Sequence, residues 1–380
     1  MSFCRSESVK EGERLSAQET SDATNDVADE RLPVFDWIRA VAIVIIIFHH
    51  LPNYTFNFYD LRNFGIPLDF SIVNKLSGYL GLSLFIFMSG FLLNARKVYF
   101  STWKEVRTFA KRKLIRILPL YYIALVTFSF TEDVRSPLKI LIHALGLQLI
   151  FRTQTHSIPI RTLWFVGLIT VYYFVFAIIK SSSLNRRARV YILILSWAIP
   201  LFLHKYFGLT DYRISLYWAI FWFGVLCSEK RLPRLKVWKY LSFVSAALFV
   251  AIFVWIDVDF GPLIGSGSTF FPKYLLLNVF MLAFVVSAYN VCDWLAQRLG
   301  LQPGMKFMAY ISYCVYLFHR PVWYIMRELL VNQFSVNNPY LILTILTVAG
   351  LPLMIALSYG LQVAYDRYFR QHLLTAFKLN

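Results

Sequence analysis

The chain has 380 residues and a formal net charge of +17 at pH 7, yet 58% of it is hydrophobic and only 16% is charged. A soluble domain is usually under half apolar and about a quarter charged, so this composition excludes an ordinary soluble protein. The positive charge lies in short segments between apolar runs, which is typical of cytoplasmic membrane loops and argues against nucleic-acid binding. The sequence predicts an all-α, polytopic transmembrane helical bundle.

The first 31 residues are polar and almost free of aromatic side chains, as in a disordered tail. They lack the apolar core of a signal peptide. We predict a disordered cytoplasmic tail over 1–31, a membrane domain over 32–366, and a short cytoplasmic C-terminal tail over 367–380.

Eleven apolar segments follow the tail, and each is a candidate membrane helix. A helix needs about 20 apolar residues to cross the hydrocarbon core. One segment, 137–151, is short and contains Lys139 and His143. We therefore predict about ten full spans and one partial or re-entrant helix. In chain order the segments are 34–52, 77–95, 114–131, 137–151, 161–180, 188–206, 211–228, 236–256, 272–293, 307–331 and 339–365.

The distribution of Lys and Arg favours a partial helix at 137–151. The segments 94–116, 180–189 and 229–239 hold eight, four and five of these residues. They lie on one side of the membrane only if 137–151 does not cross it. The positive-inside rule then places them, and both termini, in the cytoplasm of a multi-pass protein of the plasma (inner) membrane.

The first span reads DWIRAVAIVIIIFHH over 36–50 and carries ionisable residues at both ends. Arg39 and His50 are eleven residues apart, which in an α-helix is about three turns and about 16 Å, so both lie on one face. Asp36 lies near the same stripe. Arg39 alone is equally compatible with an interfacial anchor, and His50 alone with a structural hydrogen bond. Their shared face favours function, because histidine is the usual general base near neutral pH.

The four cysteines give no sign of a metal site or a disulfide framework, because no pair has a CxxC or zinc-ligand spacing. They are Cys4, Cys227, Cys292 and Cys314. We predict no metal.

Five stretches in chain order resemble the motifs of the integral-membrane acyltransferase-3 family, over roughly 32–365. Two features depart from the family pattern. Lys113 stands where Arg is commoner, and VGLITVYY lacks the Glu found in many relatives that modify sugars. The five stretches are DWIRAVAIVIIIFHH (36–50), LGLSLFIFMSGFLL (80–93), FAKRKLIRILPLYY (109–122), TLWFVGLITVYYFVF (162–176) and ISYCVYLFHRPV (311–322).

The resemblance implies an enzyme that moves an acyl group, often acetyl, from a cytoplasmic acyl-CoA to a hydroxyl of a glycan, lipid-linked sugar or related acceptor. Arg112, Lys113 and Arg116 would then hold the phosphates of acetyl-CoA or another acyl-CoA. The alternative is a basic cluster that orients the protein or meets anionic membrane lipid.

Catalytic roles in this scheme fall to the first span. His50 would act as general base or carry the acyl group itself. Arg39 would bind the donor or stabilise the thioester oxygen, with Asp36 orienting it.

Three further residues are candidates for binding the acceptor. Tyr122 and Trp164 would shape its path, although aromatic residues in spans are more often packing or interfacial. His319 would also contact it, the alternative being a histidine bonded to backbone near a helix end. We expect His49 to be structural.

A transporter or flippase for a lipid-linked glycan is the main rival, since buried charges also suit that class. The stripe of Arg39 and His50 beside a phosphate-sized basic cluster favours an enzyme. A purely structural membrane component would need no ionisable stripe.

Overall fold

The computed structural model describes residues 32–95, 99–132, 134, 136–151, 160–182, 184–230, 240, 243–245, 247–248 and 270–377. Helices and connecting loops account for these ranges, with no β-strand among them. The prediction of an all-α helical bundle is confirmed.

The helices are numbered here in chain order. They are α1 Pro33–His50, α2 Ser71–Ala95, α3 Trp103–Thr131, α4 Pro137–Ala144, α5 Trp164–Ile179, α6 Arg186–Phe202, α7 Arg213–Leu216, α8 Trp218–Lys230, α9 Phe270–Arg298, α10 Gln302–Glu328, α11 Pro339–Ile345, α12 Leu351–Ala364 and α13 Arg370–Ala376. A 3-10 turn, Leu51–Tyr54, follows α1, and wider π turns join α11, α12 and α13 into one long helix.

Seven helical stretches in the described ranges are long and apolar enough to cross a membrane. They are Pro33–Tyr54, Ser71–Ala95, Trp103–Thr131, Arg161–Ile179, Arg186–Phe207, Phe270–Arg298 and Pro339–Ala376. This number does not confirm the predicted ten, and most of the predicted span 236–256 lies outside the described residues. Helix α4 has eight residues. Its length is about 12 Å, whereas the hydrocarbon core is about 30 Å thick. This length agrees with a partial span.

Helix α3 begins at Trp103, eleven residues before the predicted span 114–131. The Thr102 hydroxyl accepts a hydrogen bond from the Glu105 backbone N–H, and the Glu105 carboxylate accepts one from Ser101 N–H. This is a variant of the capping box that starts many helices. The basic residues of 104–116 therefore lie on a helix. The distribution of Lys and Arg in the sequence had placed them in a connecting segment.

Helices α1, α2 and α10 form the centre of the bundle. The Trp37 indole near the start of α1 donates to Gln302 at the start of α10, and His50 at the end of α1 stacks on His319 further along α10. Helices α1 and α10 therefore run side by side in the same direction. We call the end of the bundle near Asp36 the Asp36 side and the other end the His50 side.

Helix α2 crosses α8 with the two backbones in contact. A Cβ built at Gly90 would overlap the Phe221 carbonyl oxygen, and one at Gly224 would overlap the Phe87 carbonyl oxygen. Small residues at such crossings let membrane helices approach closely. Gly90, which belongs to the stretch LGLSLFIFMSGFLL (80–93), is thus required by packing.

Candidate active site

His50 ends α1 in contact with α10. Its imidazole ring lies 5.2 Å from that of His319, centroid to centroid, at an interplanar angle of 17°. Among the described residues, the buried Nδ1 atom of His50 has no hydrogen-bond partner. Because buried polar atoms are nearly always satisfied, this orphaned nitrogen makes His50 a candidate ligand-binding group.

His319 presents a second orphaned nitrogen beside the first. Its Nδ1 lies 3.1 Å from the Val315 carbonyl oxygen and 2.9 Å from the Tyr316 carbonyl oxygen. Carbonyl oxygens only accept, so Nδ1 carries the proton in the neutral ring and Nε2 presents its lone pair. That Nε2 is buried and has no hydrogen-bond partner in the described part of the chain. Backbone bonding, the structural alternative for His319, therefore accounts for one of its nitrogens and leaves the other available.

Arg320 follows His319 and brings a guanidinium to the same place. Its Nε donates to the Tyr54 hydroxyl at 3.1 Å, and the Tyr54 ring packs against Trp323. The charge of Arg320 acts on both His49 and His50. The His50 side thus brings the imidazoles of His50 and His319 together with the Arg320 guanidinium.

His49 serves packing, as the sequence analysis expected. Its Nδ1 lies 2.8 Å from the Asn74 carbonyl oxygen and 3.1 Å from the Ser77 hydroxyl on α2. A Cβ at Gly78 would lie 2.6 Å from its Nε2. The ring is therefore wedged between α1 and α2.

A second cluster lies toward the Asp36 side, around Tyr173 of α5. The charges of Arg39 and Arg116 both act on the Tyr173 hydroxyl, and Lys113 Nζ lies 5.8 Å from the ring centroid. Arg39 comes from α1, whereas Lys113 and Arg116 come from α3. The fold thus brings the cation of the first span to two of the three residues predicted to bind the donor. The third, Arg112, lies exposed on the same helix.

Pro119 shapes the helix that carries this cluster. Proline has no N–H, so it cannot bond the carbonyl of Ile115, four residues earlier. The Tyr365 hydroxyl donates to that carbonyl at 2.5 Å, and the Tyr313 hydroxyl donates to the Ile117 carbonyl at 2.9 Å. Helix α10 and the π turn after α12 thereby hold α3 just beyond its basic residues.

Ser89, Gly90 and Phe91 link α2 to three neighbours. The Ser89 side chain lies beside the Tyr173 hydroxyl on α5, Gly90 meets α8, and Phe91 packs on Phe35 of α1 at 4.7 Å. The motif positions Tyr173 relative to α1.

Asp36 is buried at 3% exposure, and Gln302 Nε2 donates to its Oδ2 at 3.3 Å. The bond ties the starts of α1 and α10. The prediction that Asp36 orients Arg39 stays a prediction.

The two aromatic candidates lie in different surroundings. Tyr122 is exposed, and its hydroxyl donates to the Ala144 carbonyl on α4. Trp164 is half-buried, with the Arg213 guanidinium 4.4 Å above its ring and Tyr217 stacked at 6.2 Å. These contacts favour a packing role for both, and their part in binding an acceptor stays a prediction.

No role was predicted from the sequence for Arg320 or Tyr173. An arginine inside the apolar run YLFHRPVWY was a readable signal, because ionisable residues at membrane depth mark functional sites. Tyr173 gave no signal, because its importance arises from contacts with other helices.

The described part of the chain contains no group of three His, Cys, Asp or Glu side chains that could hold a metal ion.

Comparison with known proteins identifies the family. The model of the acyltransferase-3 family, described as an acyltransferase domain, matches residues 32–359. The chain belongs to this family and is a membrane acyltransferase, which sets aside the transporter reading. Neither the curated proteins nor the solved structures gave a match.

Proposed function

We propose that this acyltransferase takes an acyl group, with acetyl the first candidate, from a cytoplasmic acyl-CoA and transfers it to a hydroxyl of a cell-envelope glycan or related acceptor. The observation that carries the proposal is the arrangement of two chemically different centres along α1. Cations from α1 and α3 meet around Tyr173, and an imidazole pair lies about 16 Å further along the same helix.

The cation cluster suits the donor. Coenzyme A carries several phosphate charges, and arginine and lysine are the side chains that bind phosphate. Arg39, Lys113 and Arg116 would hold these phosphates while the long pantetheine arm extends along α1 toward His50. Arg39 is too far along the helix to reach a thioester at His50, so donor binding suits it better than stabilising the thioester oxygen.

The imidazole pair suits the chemical step. His50 would take the proton of the acceptor hydroxyl as its oxygen attacks the thioester carbonyl. A C–O bond forms, the C–S bond breaks, and the CoA thiolate leaves and takes up a proton. In the relay variant the His50 nitrogen attacks first, releases CoA and then passes the acyl group to the acceptor hydroxyl.

The placement in the cell follows from the donor. Acyl-CoA is cytoplasmic, so the Asp36 side would face the cytoplasm, with both termini on that side of the plasma membrane. The His50 side would face the acceptor. This orientation agrees with the positive-inside rule applied to the basic segments.

The test uses purified protein in lipid nanodiscs with acetyl-CoA labelled in its acetyl group. CoA release and the fate of the label are followed with and without a membrane-glycan extract. We expect CoA release and label in the glycan fraction. Absence of both CoA release and acetyl-CoA binding would contradict the proposal. CoA release without extract, together with label on the protein, would select the relay variant.

A further inference from the structure

Arg320 is a buried cation without a carboxylate partner. Its exposure is 7%, and within the described residues no carboxylate lies within 4 Å of its guanidinium. Its one hydrogen-bond partner there is the neutral hydroxyl of Tyr54. A charge at membrane depth is costly unless it is paired, so a group retained in this state indicates an anion that arrives with a ligand.

The nearby acid is already engaged. Glu132, at the end of α3, interacts electrostatically with both Arg161 and Arg320. Its carboxylate pairs with Arg161 Nε at 3.0 Å and makes no ion pair within 4 Å with the Arg320 guanidinium. The ligand must therefore supply the counter-charge itself.

The orphaned nitrogens of His50 and His319 provide an independent second observation. Both are buried, both lack a hydrogen-bond partner among the described residues, and both belong to rings that lie next to Arg320. Two orphaned imidazole nitrogens beside a buried guanidinium indicate a ligand site, with the guanidinium for an anion and the imidazole nitrogens for a hydroxyl.

We propose that Arg320 binds a carboxylate or phosphate ester on the acceptor, so that the substrate is an anionic glycan acylated at a hydroxyl near that charge. The inference rests on the proposed function. In that scheme the phosphates of CoA are held around Tyr173, and the thioester end of the donor is uncharged. An anion on the His50 side must then come from the acceptor. A guanidinium fork matches carboxylate and phosphate geometry.

The experiment measures binding without any acyl donor. Purified protein in phosphatidylcholine nanodiscs is heated alone and with glucuronate, glucose 1-phosphate or glucose. We expect at least one of the two anionic sugars, at saturating concentration, to raise the unfolding midpoint by about 2 °C or more, with the larger shift for the anion that matches the site. Glucose at the same concentration should have no effect. The two anionic arms distinguish a carboxylate from a phosphate ester.

Variants assign the effect to Arg320. Arg320→Gln should abolish the shift and Arg320→Lys should keep part of it. Tyr54→Phe, which removes the hydrogen bond but not the charge, should keep it. Arg367→Gln is the matched control, since Arg367 is exposed near the C-terminal end of the long helix.

Two results would overturn the inference. One is a response to the anionic sugars that is equal in wild type and Arg320→Gln, or equal to the response to glucose. The other is no anion binding by wild type together with a lower kcat of Arg320→Gln for every acceptor, which would make Arg320 a stabiliser of the reacting oxygen. Absence of CoA release by the wild-type protein would instead overturn the proposed function. The sugar-binding assay contains no acyl donor, so its result does not depend on CoA release.

Discussion

The imidazole rings of His50 and His319 lie almost parallel, 5.2 Å apart, although 269 residues separate them in sequence. Helices α1 and α10 bring them together by running in the same direction from a shared contact at Gln302. Within the ranges that the structure describes, each ring keeps one buried nitrogen without a partner. The pair is therefore our candidate for proton transfer or acyl transfer.

Replacement of His319 should slow the chemical step without weakening donor binding. His319→Asn keeps a donor near the position of Nδ1, and so the bonds to the Val315 and Tyr316 carbonyls, but removes the Nε2 lone pair. We expect kcat to fall about 10- to 100-fold, equivalent to about 1.4–2.7 kcal/mol, with the KM for acetyl-CoA unchanged. Steady-state transfer kinetics in nanodiscs measure both. A wild-type kcat would show that Nε2 has no part in the reaction.

Replacement of a cation near Tyr173 should weaken donor binding without slowing the chemical step. Arg116→Gln removes one charge that we assign to the donor phosphates, and we expect the KM for acetyl-CoA to rise about tenfold with little change in kcat. The loss should shrink at high salt, because screening already weakens the wild-type contact. Arg187→Gln, at an exposed arginine of another basic segment, is the control. Equal KM values for the two variants would indicate that the basic cluster of α3 only orients the protein in the membrane.

Gly90→Ala should destabilise the bundle even though alanine is the better helix former by about 1 kcal/mol. The added methyl group meets the Phe221 carbonyl of α8, and backbone cannot move aside cheaply. We expect a loss of about 1–3 kcal/mol, seen as a lower unfolding midpoint in nanodiscs. Gly360→Ala, where a Cβ meets nothing within 4 Å, should leave the midpoint unchanged or raise it. Similar midpoints for the two variants would contradict the close crossing.

The loop that follows the first helix should loosen in acid. Arg62 donates to Asp60 at 2.7 Å and to Asp69 at 2.8 Å, and its hydrogen bond to Asp60 lowers the pKa of that carboxyl. A lowered carboxyl pKa stabilises the folded loop above the unfolded value of about 3.9, and the contribution is lost as pH falls through the folded value.

Hydrogen exchange of residues 61–69, corrected for intrinsic rates, should therefore show protection at pH 5 and less at pH 3. Arg62→Gln should show low protection at both pH values. Protection in this variant that matched wild type would mean that the carboxylates are not held by Arg62.

The helical class and the family followed from the sequence because both depend on local patterns. Runs of about 20 apolar residues indicate spans wherever they occur, and five motifs in order indicate a family. The early start of α3 was also readable, since Thr102 and Glu105 have capping-box spacing. It was missed because hydropathy alone set the boundary.

The partners within the site could not be predicted in the same way. Arg320 meets Tyr54 across 266 residues, and Tyr173 gathers charges from α1 and α3. Periodicity places a residue on a helix face but does not say which other helix covers that face. The sequence therefore supplied His50, Arg39 and the basic cluster, while the Arg320 contact needed the fold.

The most direct measurement of the central claim compares acyl transfer by wild type and His50→Ala in nanodiscs, with labelled acetyl-CoA and a membrane-glycan extract. Removing a general base or acyl carrier typically costs 10²-fold or more in rate, so we expect His50→Ala to lose at least that factor while still binding acetyl-CoA. His372→Ala, at an exposed histidine near the C-terminus, should transfer at the wild-type rate. Transfer by His50→Ala at the wild-type rate would contradict the assignment of the reaction to the His50 side.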